Sequence, residues 1–395
     1  MIQISPETQL FIREHSSDDV RALALQAKKY PDINMPTAIT QIAGRQVAAE
    51  KIPSWREIEE IWYPKHLSLE QCSSEITARY KARLFQGDSL IDLTGGFGID
   101  CSFLATGFKT ATYVERQEEL CEIAAHNFPI LNLNHINVRN EDGVAYLQSM
   151  SPVDCIFLDP ARRNEHGGKT VAISDCEPNV AELEALLLSK ANRVMIKLSP
   201  MLDLSLALKE LKHTQEIHIL SVNNECKELL ILLGQTSPAE IAIHCVNLLT
   251  KGTQEEQHLV FTREQEQRSQ CTYTDSLGDY LYEPNASLLK AGAFRSIAAA
   301  YPVRKLHPNS HLYTSDSFIE NFPGRIFRIV NQCSFNKKEV KENLADLKKA
   351  NVTVRNFPTT VAELRKRLHL TEGEDTYSFA SITRPPINMT QIPKI

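Results

Sequence analysis

A glycine-rich segment from Leu90 to Asp100, LIDLTGGFGID, is the first candidate for a ligand site. An apolar run passes directly into glycines, and a helical stretch follows. Glycines permit positive φ angles and let the backbone approach a ligand closely. The nicotinamide-dinucleotide fingerprint G-x-G-x-x-G is incomplete, because Cys101 stands where the third glycine belongs. The candidate cofactor-binding residues of this segment are Asp92, Thr94, Gly95, Gly96, Phe97 and Gly98.

Two acidic residues follow the next two strand-like runs. Glu115 directly follows TATYV, 20 residues after Gly95, and Asp142 follows INVR within NEDG. A carboxylate at the end of a second strand can accept hydrogen bonds from both ribose hydroxyls. Arg116 is then placed to cover an adenine. Asp142, with Gly143 beside it, is placed to accept a hydrogen bond from the adenine amino group. These residues predict a nucleoside-containing cofactor.

The fourth strand-like run ends in the candidate catalytic segment Asp159-Pro160-Ala161-Arg162-Arg163. Proline removes a donor from the sheet, so a polar loop facing the cofactor is expected here. A carboxylate and a loop carbonyl can hold an amine with its lone pair toward an electrophile, which is catalysis by positioning. The two arginines can stack on a base or grip a phosphate, although such a pair is also common on ordinary surfaces.

Weaker candidates follow from topology alone. Lys197–Pro200, at the end of the fifth strand, and Asn224–Glu225 are expected to line the acceptor pocket. Tyr80 and Lys81 are expected near the cofactor. His166 could act as a base, but a histidine in such a loop is more often only a loop residue.

An alternation of strand-like and helical runs, starting at Ser89, must position these residues. SLIDL, TATYV, INVR, DCIFLD and RVMIKLS are separated by stretches such as ERQEELCEIAAHNF, which predicts βαβ units and a parallel sheet. EIHILSV and ELLILLG are joined only by NNECK and should form an antiparallel hairpin. The predicted fold class is α/β, with a Rossmann-like seven-stranded domain at 87–235.

The flanking regions differ in character. Residues 1–86 are predicted to be helical, with a capping box formed by Ser16 and Asp19 and one continuous helix over LSLEQCSSEITARYKARLF. Residues 236–320 and 321–395 mix strands such as AEIAIHCVNL, GRIFRIV and NVTVRNFP with helices such as NKKEVKENLADLKKAN and VAELRKRLHL. Small α+β domains are expected in both regions.

Several of these motifs resemble those of known enzymes. D-x-T-G-G-x-G at 92–98 resembles the first motif of class I methyltransferases. DPAR resembles the D-P-P-x motif of methyltransferases that act on amino groups of bases. Ala161 replaces the second proline of that motif and Arg162 its aromatic residue, so stacking of a base on an aromatic ring is in doubt.

A family resemblance covers essentially the whole chain. QIAGRQ, EQCSSEITARYKA, FLDPARRNEHGGKT, ISDCEPNV and NECKELLILL together resemble class I methyltransferases that carry a ferredoxin-like domain and a C-terminal THUMP-like domain. The resemblance implies S-adenosyl-L-methionine as cofactor and methylation of a base, at an exocyclic amine, in structured RNA. It also implies that 236–320 is ferredoxin-like and 321–395 THUMP-like.

The charge distribution agrees with an RNA partner such as ribosomal or transfer RNA. Net charge is −9 over 87–235 and +6 over 321–395. Phosphate binding favours a basic surface, although solvated helix faces would explain the charge equally well. The candidate substrate-binding residues are Arg355, Arg365, Lys366 and Arg367.

Composition excludes several classes of protein. No apolar run reaches the length of a membrane span, and the N-terminus lacks the pattern of a secretion signal. The nine cysteines include no C-x-x-C pair, so a cytoplasmic protein without a metal site is expected. Two alternatives stay open: a methyltransferase acting on a protein or a small molecule, and a non-catalytic RNA-binding protein that kept the fold.

Overall fold

The computed structural model describes residues 4–162, 172–252, 254–344, 347–373, 376–382 and 388–393. The chain divides into two compact units. The first comprises Met1–Gln215 and Leu230–Ser237, and the second Glu216–Leu229 and Pro238–Ile395. Among the described residues, no helix has both the length and the apolar character needed to cross a membrane.

The first unit begins with a helical region. Its helices are α1 (Pro6–Glu14), α2 (Val20–Leu25), α3 (Met35–Lys51), α4 (Pro53–Arg56), α5 (His66–Gln71) and α6 (Glu75–Leu84). Asp19 caps α2 by accepting a hydrogen bond from the backbone N–H of Ala22 (2.8 Å), so Asp19 and not Ser16 is the cap residue. The single helix expected over 67–85 is wrong, because the chain leaves helical geometry between α5 and α6.

The rest of the first unit alternates strands and helices, as the sequence predicts. In chain order the elements are β1 (Gly87–Asp92), α7 (Ile99–Ala105), β2 (Phe108–Glu115), α8 (Glu118–Ile130), β3 (Ile136–Asn140), α9 (Gly143–Ser149), β4 (Val153–Leu158), β5 (Ala161–Arg162), β6 (Cys176–Glu177), α10 (Val180–Lys190), β7 (Ala191–Leu198) and α11 (Leu204–Glu210). The next two strands, β8 (Thr214–Val222) and β9 (Glu225–Gly234), are each divided between the two units.

The sheet of this unit has the order β9-β7-β4-β1-β2-β3. Strand β1 pairs in parallel with β2 on one side and with β4 on the other, with Asp92 opposite both Tyr113 and Phe157. The chain therefore winds outward from β1 in one direction and from β4 in the other. In open α/β sheets, ligands bind at such a reversal, beyond the carboxyl ends of the strands.

Strands β8 and β9 form the expected hairpin. They are joined by Asn223 and Asn224, which both have positive φ angles, 49° and 70°. A two-residue turn with this geometry matches the twist of an antiparallel pair, and asparagine tolerates it better than most residues. The predicted α/β fold class, with a large and mainly parallel sheet, is confirmed.

The second unit contains three sheets. Its remaining elements are β10 (Ala242–Leu248), β11 (Glu256–Thr262), α12 (Arg263–Arg268), β12 (Tyr280–Pro284), α13 (Ala286–Ala291), α14 (Ser296–Ala300), β13 (Arg304–Lys305), β14 (Tyr313–Ser315), β15 (Gly324–Arg328), β16 (Asn331–Ser334), α15 (Lys337–Leu344), β17 (Asn351–Arg355), α16 (Val361–Leu368), β18 (Thr376–Ser381) and β19 (Asn388–Pro393).

Strand orders in the second unit are β11-β10-β8-β9, β13-β14-β12-β15 and β16-β19-β18-β17. Strand β10 runs parallel to β8 and antiparallel to β11. Residues 242–262, which the sequence assigns to a small α+β domain, thus extend the sheet that contains β8. The four domain boundaries given above stay predictions.

Candidate active site

The glycine-rich turn joins the end of β1 to the start of α7. Gly96 and Gly98 have positive φ angles, 54° and 86°, which favour glycine over any residue with a side chain. A Cβ atom on Gly95 would lie 2.2 Å from the Tyr113 ring, so only glycine fits there. The turn therefore places bare backbone at the carboxyl edge of the sheet, next to β2.

Glu115 ends β2 beside this turn. Its carboxylate accepts hydrogen bonds from the backbone N–H groups of Gly96 (2.9 Å) and Gln117 (2.8 Å), one on each oxygen. The residue is 8% exposed. Each oxygen keeps further lone-pair capacity, so the carboxylate is fixed in place and can still accept hydroxyl protons from a ligand.

Asp92 is a buried carboxylate at the end of β1. Its Oδ1 accepts the Thr94 backbone N–H (3.0 Å), whereas Oδ2 has no hydrogen-bond partner within the described part of the chain. Burial raises the pKa of this carboxyl well above its usual range, and the nearby Asp100 carboxylate adds to the increase. A buried acceptor without a donor costs free energy, so Oδ2 is suited to an N–H donor brought by a ligand.

A buried charge network lies beside the turn. Asp100, in the first turn of α7, lies 2.9 Å from Lys81 Nζ and 3.4 Å from Lys197 Nζ. Its Oδ2 also accepts a hydrogen bond from the Ser73 hydroxyl (2.7 Å). Burial alone would raise the pKa of Asp100, but the charges of the two lysines and the hydrogen bonds from Lys81 and Ser73 lower it to about 2. The Lys81 side chain is completely buried.

Asp159 joins this network from just beyond the end of β4. Its Oδ2 lies 2.5 Å from Lys197 Nζ, and its backbone N–H donates to the Thr94 hydroxyl (2.6 Å). Burial raises the pKa of Asp159, and the charge of Lys197 opposes that effect. Its side chain keeps 36% of its surface exposed, against 10% for Asp100. Asp159 is therefore the better placed of the two carboxylates to meet a second substrate.

The residues after Asp159 form a short ribbon where the sequence predicts a polar loop. Pro160 is buried and Ala161 exposed. Ala161 and Arg162 form β5, which pairs antiparallel with β6 through the partners Glu177 and Cys176. Arg163 and His166 lie outside the described residues, so their roles, like that of the Arg162 side chain, stay predictions.

Asp142 and Gly143 lie where β3 meets α9. Asp142 caps the helix, because its Oδ1 accepts the backbone N–H groups of Val144 and Ala145 (both 3.0 Å). A Cβ atom on Gly143 would lie 2.2 Å from the carbonyl oxygen of Leu93, so glycine lets α9 start against the glycine-rich turn. The exposed Asp142 thus lies at the same edge as Glu115, as the sequence predicts.

Arg116 and Phe97 differ in how accessible they are to a ligand. Arg116 is exposed, and its guanidinium lies 3.5 Å from Glu177 Oε1. Phe97 is 3% exposed and packs edge-on against Trp55, with ring centroids 5.3 Å apart, and against Tyr63. Phe97 therefore anchors the turn to the helical region.

The predicted RNA-binding residues belong to the second unit and are not equally accessible. Two guanidinium nitrogens of Arg355 donate to Glu283 Oε1 (2.9 and 2.6 Å), so this arginine neutralises a buried carboxylate. Arg365 is half-buried at the end of α16. Lys366 and Arg367 are exposed, and the Arg367 guanidinium also stacks over the Phe335 ring, 4.1 Å from its centroid. These two are the most accessible of the four candidates.

Sequence reasoning missed Asp100 and Ser73 and placed Lys81 and Lys197 near the site by topology alone. Asp100 follows the last glycine of the turn by two residues, and Ser73 lies in the break between α5 and α6. An acid directly after a glycine-rich turn, facing lysines at the ends of neighbouring elements, is the sequence signal that could have identified the network.

Comparison with solved structures relates the chain to a protein that it matches over the full length of both chains. A crystal structure of a predicted methyltransferase from Porphyromonas gingivalis W83 is 33% identical, covers 100% of both chains and superposes with a TM-score of 0.86. Residues 280–323 match a ferredoxin-like domain, and 324–387 match a THUMP-like domain. Similarity of this degree over the full length makes the two chains members of one family.

More distant structures share only part of the chain. An rRNA methylase from Streptococcus thermophilus is 14% identical over 40% of this chain and 93% of its own (TM-score 0.30). TrmK of M. capricolum, solved with S-adenosylhomocysteine, is 12% identical over 41% of this chain and 68% of its own (TM-score 0.32). A search of curated proteins found no match.

The buried network generates a first prediction. Asp100→Asn leaves two lysines short of a buried counter-charge, so the first unit should lose about 3–5 kcal/mol of stability at pH 7. Both tryptophans, Trp55 and Trp62, lie in this unit, so their fluorescence during urea unfolding reports the change. Asp88→Asn, which breaks only the exposed pair with Lys109, is the matched control and should have little effect.

The same variant tests the pKa of Asp100. The folded-state pKa of about 2 lies below the unfolded value, roughly 3.9, so the stabilisation is complete above the unfolded pKa and is lost as pH falls through the folded one. The stability difference between wild type and Asp100→Asn should therefore shrink between about pH 4 and pH 2. A difference that is constant over this range would show that the carboxylate is not held between the lysines.

Proposed function

We propose that this chain, which belongs to the methyltransferase family with ferredoxin-like and THUMP-like domains, transfers a methyl group from S-adenosylmethionine to an exocyclic amine of a base in structured RNA. The observation that carries the proposal is the hydrogen bond from the Asp159 backbone to the Thr94 hydroxyl. It joins the candidate acceptor residue directly to the glycine-rich turn at the point where the sheet order reverses.

The residues around the turn fit S-adenosylmethionine. Glu115 offers a fixed carboxylate for the ribose hydroxyls, and the exposed Asp142 offers one for the adenine amino group. The unpartnered Oδ2 of Asp92 suits the donor that an amino-acid ammonium supplies. When bound, the cofactor supplies an electrophilic methyl group on its sulfonium, which is already a reactive leaving group.

Asp159 is proposed to hold the acceptor amine. Lys197 favours the ionised form of this carboxylate, and an ionised carboxylate accepts hydrogen bonds from an amine strongly. Such bonds orient the nitrogen lone pair toward the methyl group and stabilise the positive charge that grows on nitrogen during transfer. Burial raises the pKa of Asp159, which helps the same carboxylate to take the proton that the methylated nitrogen must lose.

RNA is proposed as the acceptor because of the C-terminal region. The match to a THUMP-like domain covers 324–387, within the segment of net charge +6. Lys366 and Arg367 present part of this charge to solvent on α16. Phosphate groups are the partners that such a surface attracts. Ribosomal and transfer RNA are the structured RNAs to test first.

Cofactor binding is tested at Glu115. Glu115→Ala should weaken S-adenosylmethionine binding by about 1.5–3 kcal/mol, the size of a hydrogen bond to a charged group, measured by calorimetry. Glu115→Gln, which keeps one carbonyl acceptor for the backbone, should lose less. Glu118→Ala removes a neighbouring exposed carboxylate and should bind as wild type. Tight binding of NADH without any binding of S-adenosylmethionine would refute the proposed cofactor.

The acceptor role is tested at Asp159. Asp159→Ala should lower the single-turnover rate at least about a hundredfold, while calorimetry finds cofactor affinity nearly unchanged. The substrate is RNA from a strain lacking this protein, and the readout is labelled methyl incorporation followed by mass spectrometry of nucleosides. Asp88→Asn again serves as the control for loss of an aspartate–lysine pair. Equal rates in wild type and Asp159→Ala would contradict the role, and absence of label from the RNA with wild type would favour a different acceptor.

RNA binding is tested on α16. Lys366→Gln with Arg367→Gln should weaken RNA binding and reduce the slope of log affinity against log salt by about 0.7–0.9 for each lost phosphate contact. Lys28→Gln with Lys29→Gln removes the same charge from an exposed site near α2 and should leave the slope unchanged. Filter-binding titrations with the same slope in both double variants would mean that α16 does not bind RNA.

A further inference from the structure

A cluster of histidines lies outside the proposed active site, on the sheet of the second unit. His218 on β8 and His244 on β10 are register partners in a parallel pair, so their side chains leave the same face. Their rings stack with centroids 4.2 Å apart. Glu216 precedes His218 by two residues and therefore projects from that face as well. His258 on β11 lies next to His244, with ring centroids 5.4 Å apart.

The side-chain atoms of this cluster have the spacing of metal ligands. His218 Nε2 lies 3.3 Å from Glu216 Oε2. Ligand atoms of Glu216, His218 and His244 all lie within 4.8 Å of one another. Two ligands of a tetrahedral zinc ion, each about 2.0–2.1 Å from the metal, are roughly 3.3 Å apart. One edge of such a site is therefore formed. The other two, each at most 4.8 Å, close when the stacked His218 and His244 rings tilt toward a common ion and the half-exposed Glu216 side chain follows.

His258 supplies the support that metal-bound histidines usually have. His244 Nδ1 and His258 Nε2 are 3.2 Å apart, a hydrogen bond between two rings. This contact occupies Nδ1 of His244 and leaves Nε2 for an ion. A hydrogen bond to the second ring nitrogen fixes the orientation and the tautomer of a ligand histidine. His258 is thus a positioning residue rather than a ligand.

We propose that Glu216, His218 and His244 bind one divalent transition-metal ion, with zinc as the reference ion. Two neutral imidazoles and a carboxylate form a donor set suited to zinc and neighbouring late first-row ions, and the single negative charge offsets part of the ion's charge. The ligands come from β8 and β10, and His258 adds a contact from β11. The bound ion crosslinks β8 to β10, and water completes its coordination.

The test uses the full chain, stripped with a chelator and titrated with zinc in competition with a chromophoric chelator. Wild type should bind one equivalent, and its melting temperature should rise with zinc. His244→Gln should abolish this binding. Glu216→Gln should weaken it at least tenfold, and because that side chain is half-exposed this variant keeps the test valid if a histidine variant fails to fold. Replacement of His258 should lower zinc affinity about 10–100-fold, as expected for a residue that supports a ligand.

His213→Gln is the matched control. His213 Nδ1 also lies 3.3 Å from a carboxylate oxygen, on Glu184, but this pair is not part of the histidine cluster. This variant should bind zinc as wild type does. Cobalt in place of zinc should give visible absorption without a thiolate charge-transfer band. Absence of stoichiometric binding, equal binding by wild type, His244→Gln and Glu216→Gln, or a thiolate band would each overturn the proposal.

Discussion

The ion pairing of Asp100 with Lys81 and Lys197 is the constraint on which the candidate active site depends. Moving an ion from water into a protein interior costs several kcal/mol, so buried charges persist only when they are balanced. Here two aspartates, Asp100 and Asp159, balance two lysines. Lys197 contacts both carboxylates. The position of Asp100 thus helps to set the charge and orientation of Asp159, although Asp100 itself is almost closed to solvent.

Through this network the helical region before β1 contributes residues to the candidate active site. Lys81 comes from α6, and Ser73, which accepts a hydrogen bond from Lys81 (2.9 Å) and donates one to Asp100, comes from the break between α5 and α6. Phe97 packs against Trp55 from the same region. The break in the predicted helix therefore lets the Ser73 hydroxyl reach Asp100, because the Ser73 backbone would follow a different path in one continuous helix.

Local patterns in the sequence predicted the elements and the polar edge of the sheet. Apolar runs of strand length, the glycine turn and Glu115 at the end of β2 all depend on neighbours close in the chain. The buried charge network depends instead on residues distant in the chain, since Lys197 and Asp100 are 97 residues apart. Phe97 shows the converse problem: its place in the motif suggested a ligand contact, while its burial is decided by aromatic rings 34 and more residues away. Periodicity carries no information about such partners.

Charge counting has a similar limit in the C-terminal region. Glu283 is 1% exposed and is bound by two arginines, Arg325 and Arg355. Glu283 belongs to the segment that matches the ferredoxin-like domain, and the two arginines belong to the THUMP-like segment. Part of the positive charge of the THUMP-like segment is therefore paired with Glu283 of the ferredoxin-like segment. Net charge therefore overestimates the positive charge that is accessible to a phosphate backbone. The proposed binding of RNA would depend on the exposed cations that remain, of which Lys366 and Arg367 are adjacent on one helix.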